Sequence, residues 1–288
     1  MLPEFKQVEE KKISRNATIR NDVVIEGIGI HSGSSAVLTI HPESSGTGLF
    51  FFRKKNKDDI IKVHPENVKN TFQAVTLSNG SYHVQTIEHL LAALAVAGIT
   101  DASIELSGDE IPIMDGSAQP YYEAVQSAGL IYFPEEVIPI KLSSPVWVVE
   151  GDKYLVALPD DEASISYSID YDHPLLRNQT FQVLLKTDDL GAEILPARTF
   201  GFIRDLDEMK SKGLIKGASL ENAVGLTEDG YLNPSLRFEN ECIRHKILDL
   251  IGDLYLLNRP LKARILASRA GHKLDVALAL KISQMIEN

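Results

Sequence analysis

The chain has 288 residues, 44% hydrophobic and 24% charged, the composition of a folded globular protein with room for one large domain or two of ordinary size. Its formal net charge of -11 argues against broad nucleic-acid binding, which needs a basic face, but leaves room for a local basic pocket. The single cysteine, Cys242, rules out an intrachain disulfide and a thiolate metal cluster.

Residues 1–12 are charged and lack the apolar core of a signal peptide. The longest apolar run, residues 90–99, is far short of the ~20 residues that span a bilayer. A cytoplasmic protein without a transmembrane segment is therefore expected. Residues 23–25, 36–40 and 49–52 are β-branched or aromatic runs cut by Gly and Pro, and predict strands. Between the first two sits Gly27-Ile-Gly-Ile-His-Ser-Gly33, a tight turn around His31. That His is either a turn residue with a local hydrogen bond or a ligand-facing one. The charge run at 53–59 reads as a solvated loop.

Residues 86–98 are Ala/Leu-rich and predict a helix stopped by Gly98. Glu88 and His89 sit at its start. Neighbours on a helix diverge by about 100°, so the two cannot both ligate one metal ion. They can serve as base and ligand flanking one water; the plainer alternative is a Glu favoured by the helix dipole with a His packed beside it. A strand at 102–106, a Pro- and Gly-marked loop at 110–118, a short helix at 119–129 and a linker at 133–136 complete the first half.

The second half begins with strands again, at 138–142, 145–150, 154–158 and 163–171, with a hairpin turn at Gly151-Asp152. A helical segment is predicted at 201–213 and a longer helix at 239–257. A strand at 263–268 and a final helix to about 285 close the chain. In the 239–257 helix, Ile243, Ile247, Leu250 and Ile251 recur at helical spacing, while His245, Asp249 and Asp253 stand four apart on another face. A His and an Asp at that spacing can ligate one metal ion, with the third group supporting from one turn further. The alternative is a surface helix carrying a His–Asp pair and a solvated Asp.

Each half is a run of strands followed by helix, strand, helix, and each first helix carries a His near its start, His89 and His245. This organisation predicts an α+β fold built by duplication of one unit. The two domains would be residues 1–133 and 138–288, facing each other across a cleft suited to a small molecule.

Five longer motifs go beyond spacing: Thr86-Ile-Glu-His-Leu-Leu-Ala-Ala-Leu94, Glu110-Ile-Pro-Ile-Met-Asp-Gly-Ser-Ala118, Ala197-Arg-Thr-Phe-Gly-Phe202, Arg244-His-Lys-Ile-Leu-Asp-Leu-Ile-Gly-Asp-Leu254 and Gly271-His272. With Gly27–Gly33 they resemble, in order and over residues 13–284, the UDP-3-O-acyl-N-acetylglucosamine deacetylases. These are zinc enzymes that commit Gram-negative bacteria to lipid A synthesis. The resemblance implies two similar β-α-α-β sandwich domains packed face to face around the metal. It implies zinc held by His89, His245 and Asp249 with an open fourth position, a donor set that accepts Fe(II) as well. Such a metal polarises an amide carbonyl and activates water.

Glu88 would then be the general base and His272 the general acid, with Asp253 orienting His272 and favouring its cation. Thr199 would help stabilise the oxyanion, and Lys246 would pair with substrate phosphate. Phe200 and residues 201–217, which the resemblance makes a helical insert of the second domain, would line the passage for the 3-acyl chain. Tyr171 falls where the family contacts uridine, and His31 is a further candidate for the substrate. The implied partner is an acylated UDP-amino sugar, with no nucleic acid; the oligomeric state is not legible.

His41, His64, His83 and His173 have no place in the pattern, and Asp115 is read as stabilising its own turn. Lys273 and Asp275 depart from the family, which usually has Ala and Asn there. Cys242 stands where the family has an apolar residue and is read as a buried small hydrophobe. Two rival classes exist. A nucleotide-sugar binder without chemistry would need neither Glu88 nor His272. An α+β RNA-binding module would need a basic stripe that the acidic chain lacks.

Overall fold

In the computed structural model, which describes residues 15–53 and 56–286, the chain builds two large mixed sheets with helices between them. Residues 1–12, read above against a signal peptide, and two residues of the 53–59 charge run lie outside the described residues. The first half contains β1 (Arg15–Ile19), β2 (Val23–Ile28), β3 (Ser35–Pro42), β4 (Leu49–Arg53) and β5 (Asn56–Lys62). A small antiparallel sheet follows, of β6 (Val68–Asn70), β7 (Thr76–Ser78) and β8 (His83–Gln85). Helix α1 (Glu88–Ala97), β9 (Ala102–Leu106), α2 (Gln119–Ala128) and β10 (Leu130–Glu136) complete it.

The second half contains β11 (Ile140–Lys141), β12 (Val146–Glu150), β13 (Lys153–Pro159), β14 (Ser164–Ile169) and β15 (Gln179–Leu184). An inserted stretch carries α3 (Leu190–Glu193), β16 (Phe200–Phe202), α4 (Leu206–Ser211) and β17 (Val224–Leu226). Then come α5 (Glu241–Leu254), β18 (Leu261–Ser268) and α6 (His272–Ile286).

The two large sheets share one topology. The first runs β2-β3-β9-β4-β5 and the second β12-β13-β18-β14-β15. In each, the strand that follows the long buried helix, β9 after α1 and β18 after α5, inserts at the centre, antiparallel to one neighbour and parallel to the other. The additions also fall at one place, between the fourth strand and that helix: the small sheet in one half, the α3–β17 insert in the other. The repeat read from the pattern of elements is thus present as strand order and strand sense.

Alternation sets the faces. Val23 and Ile25 of β2 are buried while Val24 and Glu26 are exposed, and β12 buries Val146 and Val148 against exposed Trp147 and Val149. The buried faces pack on helices: β2 meets α2, β14 and β15 meet α5, and β12 and β13 meet α6, while α1 and α5 pack on each other. Leu90, Leu91, Ala92, Ala93 and Leu94 have no exposed surface, so α1 is a helix buried all round. Each Leu so buried contributes about 1.5–3 kcal/mol of transfer free energy. Gly98, predicted to stop the helix, does so at φ 74, in the left-handed conformation.

Three segments differ from the sequence expectation. Residues 133–136 are the end of β10, paired with β1 up to Arg15 opposite Glu136. The register slips around Pro134, which has no N–H for the ladder. The 53–59 charge run is largely strand, because β5 is the edge of its sheet, where charge is tolerated and guards against further pairing. The 201–213 segment is helical only at Ile203–Asp205 and Leu206–Ser211. Its start is drawn into a parallel pair, with Phe200 opposite Val224 and Phe202 opposite Leu226.

Candidate metal centre and active site

Helices α1 and α5 cross at close range. A Cβ on Gly252 would lie 2.0 Å from the carbonyl oxygen of Glu88, so glycine permits this approach of the two backbones. The crossing sets His89, on α1, against His245 and Asp249, on α5, and one ligating atom from each lies within 4.8 Å of the others. All three residues are buried. Nε2 of His245 is 3.2 Å from Oδ1 of Asp249, and Nε2 of His89 is 3.7 Å from the same oxygen. The two imidazoles meet edge to face, 4.9 Å apart.

The donor chemistry of this cluster fits a metal ion. Nδ1 of His245 lies 3.0 Å from the carbonyl oxygen of Ala197, which can only accept, so Nδ1 carries the hydrogen and Nε2 presents a lone pair toward Asp249. Oδ1 of Asp249 is buried with no hydrogen-bond donor among the described residues. A lone pair facing an unpartnered carboxylate oxygen calls for a cation between them. Burial, then the neighbouring His245, pushes the His89 imidazole down to about 3, and burial lowers His245 as well, so both are neutral, the form that ligates. Burial raises the Asp249 carboxyl, but His245 and Lys246 outweigh it and hold the group well below the usual carboxylate range.

Glu88, next to His89 on α1, is 2% exposed. Its Oε2 accepts the Val75 N–H at 3.1 Å, and its Oε1 is 3.7 Å from Nε2 of His272. Burial pushes its carboxyl up to about 7. His272 opens α6, and its Nδ1 is 2.7 Å from Oδ2 of Asp253, a buried residue one turn beyond Asp249. A carboxylate and an imidazole thus converge, with a second carboxylate fixing the imidazole. The sequence places these groups on three helices, and the fold brings them together.

Other predicted site residues sit around this centre. Phe200 packs edge-on against His245, 6.3 Å between rings, and Tyr171 packs against Phe200 and Phe202 at 5.8 and 5.6 Å. This aromatic row begins at His245 and lines the start of the insert. His173, set aside from the sequence, continues it at 5.9 Å from Phe202. Thr199 is half-buried, two residues from Ala197, with its N–H bonded to Gly116. His31 is buried, with Nδ1 unpartnered; burial lowers it, and both Glu110 and His272 are close enough to influence it. Lys246 is placed differently from a free phosphate-reaching cation. Its Nζ is 2.5 Å from Oδ2 of Asp249, and its side chain is 12% exposed.

His41 and His64 pair with carboxylates elsewhere, and His83 is exposed. Asp115 caps its own turn through Ser117 and also meets Arg237 at 2.9 Å. Cys242 is buried, and burial pushes its thiol up to about 12, as a small hydrophobe rather than a ligand.

Sequence reasoning missed two supports. Glu110 accepts the N–H groups of His31 and Ser32 at 2.8 and 2.7 Å and the Thr86 hydroxyl at 3.2 Å, tying the Gly27–Gly33 turn to the start of α1. Glu241 accepts Nε and the backbone N–H of Arg198 at 2.8 and 3.0 Å and the Arg237 N–H at 2.8 Å, fixing the irregular segment just before β16 that carries Ala197 and Thr199. A Glu buried in an otherwise apolar motif was the available signal for the first. The second pairs residues 43 apart and had none.

Neutral imidazoles and an ionised carboxylate around one cation position, flanked by a carboxylate and a positioned imidazole within an α+β frame, define the site of a metal-dependent hydrolase. The model of one such family, described as LpxC, UDP-3-O-acyl N-acetylglycosamine deacetylase, matches residues 16–284. The chain is 50% identical over 271 residues to a UDP-3-O-acyl-N-acetylglucosamine deacetylase of Leptospira biflexa serovar Patoc, covering 93% of this chain and 90% of the relative. It is 39% identical to the protein of that name from Trichormus variabilis, covering 92% and 97%, and 41% identical to that of Thermosynechococcus vestitus, covering 90% of each. The chain belongs to the UDP-3-O-acyl N-acetylglycosamine deacetylase family. No helix among its described residues is long and apolar enough to cross a membrane.

Proposed function

We propose that this protein is a zinc-dependent deacetylase that removes the N-acetyl group of UDP-3-O-acyl-N-acetylglucosamine, releasing acetate, in the committed step of lipid A biosynthesis in the cytoplasm. The observation that carries the reading is the convergence of His89, His245 and Asp249 beside Glu88 and His272, within a family whose relatives bear that name. The donor set of two imidazoles and one carboxylate suits zinc and also Fe(II). When bound, the ion supplies Lewis acidity to the acetamide carbonyl and lowers the pKa of water.

Glu88 takes the proton of the attacking water, and a carboxyl raised to about 7 by burial is matched to that task near neutral pH. As the carbonyl carbon gains the water oxygen, the Thr199 hydroxyl donates a hydrogen bond to the developing oxyanion. The C–N bond breaks as His272 delivers a proton from Nε2 to the leaving amine, giving the free amino sugar and acetate. Asp253 keeps Nδ1 of His272 engaged at 2.7 Å, so Nε2 is the nitrogen that faces the substrate. Phe200, Tyr171 and the 201–217 insert flank the acyl and nucleotide portions, with His31 facing from the first half. Lys246 keeps Asp249 ionised, and a role on substrate phosphate requires it to exchange Asp249 for that group. In this reading residues 1–133 and 138–288 are two domains that meet at the site.

The test is acetate release from UDP-3-O-acyl-N-acetylglucosamine by purified protein, with chelator and then with zinc restored. Loss on chelation and recovery with zinc are expected. Full turnover in metal-free protein would sink the reading.

A further inference from the structure

The mechanism uses one oxygen of Asp253. The other, Oδ1, is buried and has no donor among the described residues, and the same holds for both oxygens of Asp275. Asp275 lies one turn into α6 from His272 and has no exposed surface. An oxygen of Asp253, a nitrogen of His272 and an oxygen of Asp275 lie within 4.8 Å of one another. Two carboxylates at such range in a buried site cannot both be ionised. They hold one proton between them, and that proton satisfies an oxygen that otherwise lacks a donor.

We propose that Asp275 carries this proton and donates it as a hydrogen bond to Oδ1 of Asp253, acting as the positioning residue for the Asp253–His272 pair. The proton belongs on Asp275 because Asp253 has an imidazole N–H to stabilise its charge and Asp275 has none. The chain of bonds then runs from the Asp275 O–H to Asp253 and from His272 Nδ1–H to the other oxygen of Asp253. Asp253 is fixed at both oxygens, and the His272 ring with it. Burial first, and then the facing carboxyl, pushes each of the two groups well above the usual carboxylate range.

The surroundings agree. From α5, Asp249 adds negative charge and Lys246 positive charge, and these two engage each other at 2.5 Å. From β14 comes Tyr167, whose buried hydroxyl is itself raised by burial and then by Asp275. From α1, Glu88 faces His272. Farther along α6, Lys273 meets Glu150 of β12 and Ser283 meets His64. Tyr255 donates to the Ile99 carbonyl.

The inference deepens the deacetylase reading, and its first test stands apart from it. A buried carboxyl whose folded pKa is raised takes up a proton on folding. Its contribution to stability therefore declines as pH climbs from the unfolded value, 3.8, toward the raised one. D275N offers an amide N–H in place of the O–H and takes up no proton. In metal-loaded enzyme without substrate, the melting temperature of D275N relative to wild type should rise as pH climbs above 5, by up to about 3 °C per pH unit, until the raised folded value is passed. A difference that stays constant with pH would overturn the proposal, whatever the substrate. In the acetate assay, D275N should keep kcat within about threefold, because the donor is kept. D275L should lose tenfold or more in kcat with KM nearly unchanged, because Asp253 loses one of its two anchors. Equal loss in D275N and D275L would show that the charge of Asp275 matters rather than its hydrogen, and overturn the proposal. So would full kcat in D275L. If D275L does not fold, the D275N melting and kcat comparisons decide alone.

Discussion

At Glu88, burial and a single backbone hydrogen bond leave a carboxyl that changes protonation near neutral pH, beside His89, which burial keeps neutral. Adjacent residues on a helix point in different directions, so one can ligate while the other moves a proton. E88Q keeps the size and the bond to Val75 but cannot accept a proton. It should lower kcat by about 10²–10⁴-fold and leave metal content unchanged by elemental analysis. Loss of metal in E88Q would instead make Glu88 a ligand. Glu241 works differently. Burial raises its carboxyl, but the side chain and N–H of Arg198 and the N–H of Arg237 outweigh that and bring it below its ordinary value. A lowered folded pKa means stability that is present above the unfolded value, 4.5, and lost as pH falls through the folded one. E241Q leaves Arg198 buried and unpaired, and should cost about 3–5 kcal/mol in the urea midpoint at pH 7. The gap should narrow at pH 4. A gap of equal size at both values would remove charge from the account.

The elements that carry the site are held by close approach as much as by hydrogen bonds. G252A puts a methyl group where the Glu88 carbonyl lies, 2.0 Å from a Cβ, and backbone on both sides cannot yield cheaply. The variant should lose about 1–3 kcal/mol of stability and bind metal more weakly, because α1 carries one of the proposed ligands and α5 two. A variant with wild-type metal affinity would show that the crossing has slack. The sequence made α1 and α5 legible, since apolar residues recur at helical spacing and Gly98 marks an end. It also showed His245, Asp249 and Asp253 as one face. It did not show which distant His completes that face, because adjacency of α1 and α5 is set by tertiary packing. The resemblance, rather than the spacing, supplied His89. Strands β1 and β10 were hidden for a related reason: they pair across more than a hundred residues, and Pro134 marks β10 as a break. The charges of β5 hid an edge strand. Lys246 was read by type as a group that pairs with substrate phosphate, and its contact with Asp249, three residues on, was not legible in that reading. Asp275 was visible only as a departure, and burial beside Asp253 gives it meaning.

Across the whole molecule, the repeated sheets matter because each contributes part of one centre. His89 and Glu88 come from the first half, and His245, Asp249, Asp253 and His272 from the second. The hydrophobic core is continuous between the halves through α1 and α5. A metal ion held as proposed, by His89 and by His245 and Asp249, would be linked to the folding of both halves and would stabilise only the state in which they are joined. At a free metal concentration a hundred times the Kd, the gain is about 2.7 kcal/mol. In a protein of this size that corresponds to roughly 5–10 °C in melting temperature. Adding zinc to chelated protein should move one calorimetric transition upward as a whole, and H89A should remove the shift while leaving one transition. Two transitions, of which only the later moves with zinc, would mean that the second half binds the ion without α1. In that case the shared core, rather than the metal, would be what joins the two sheets.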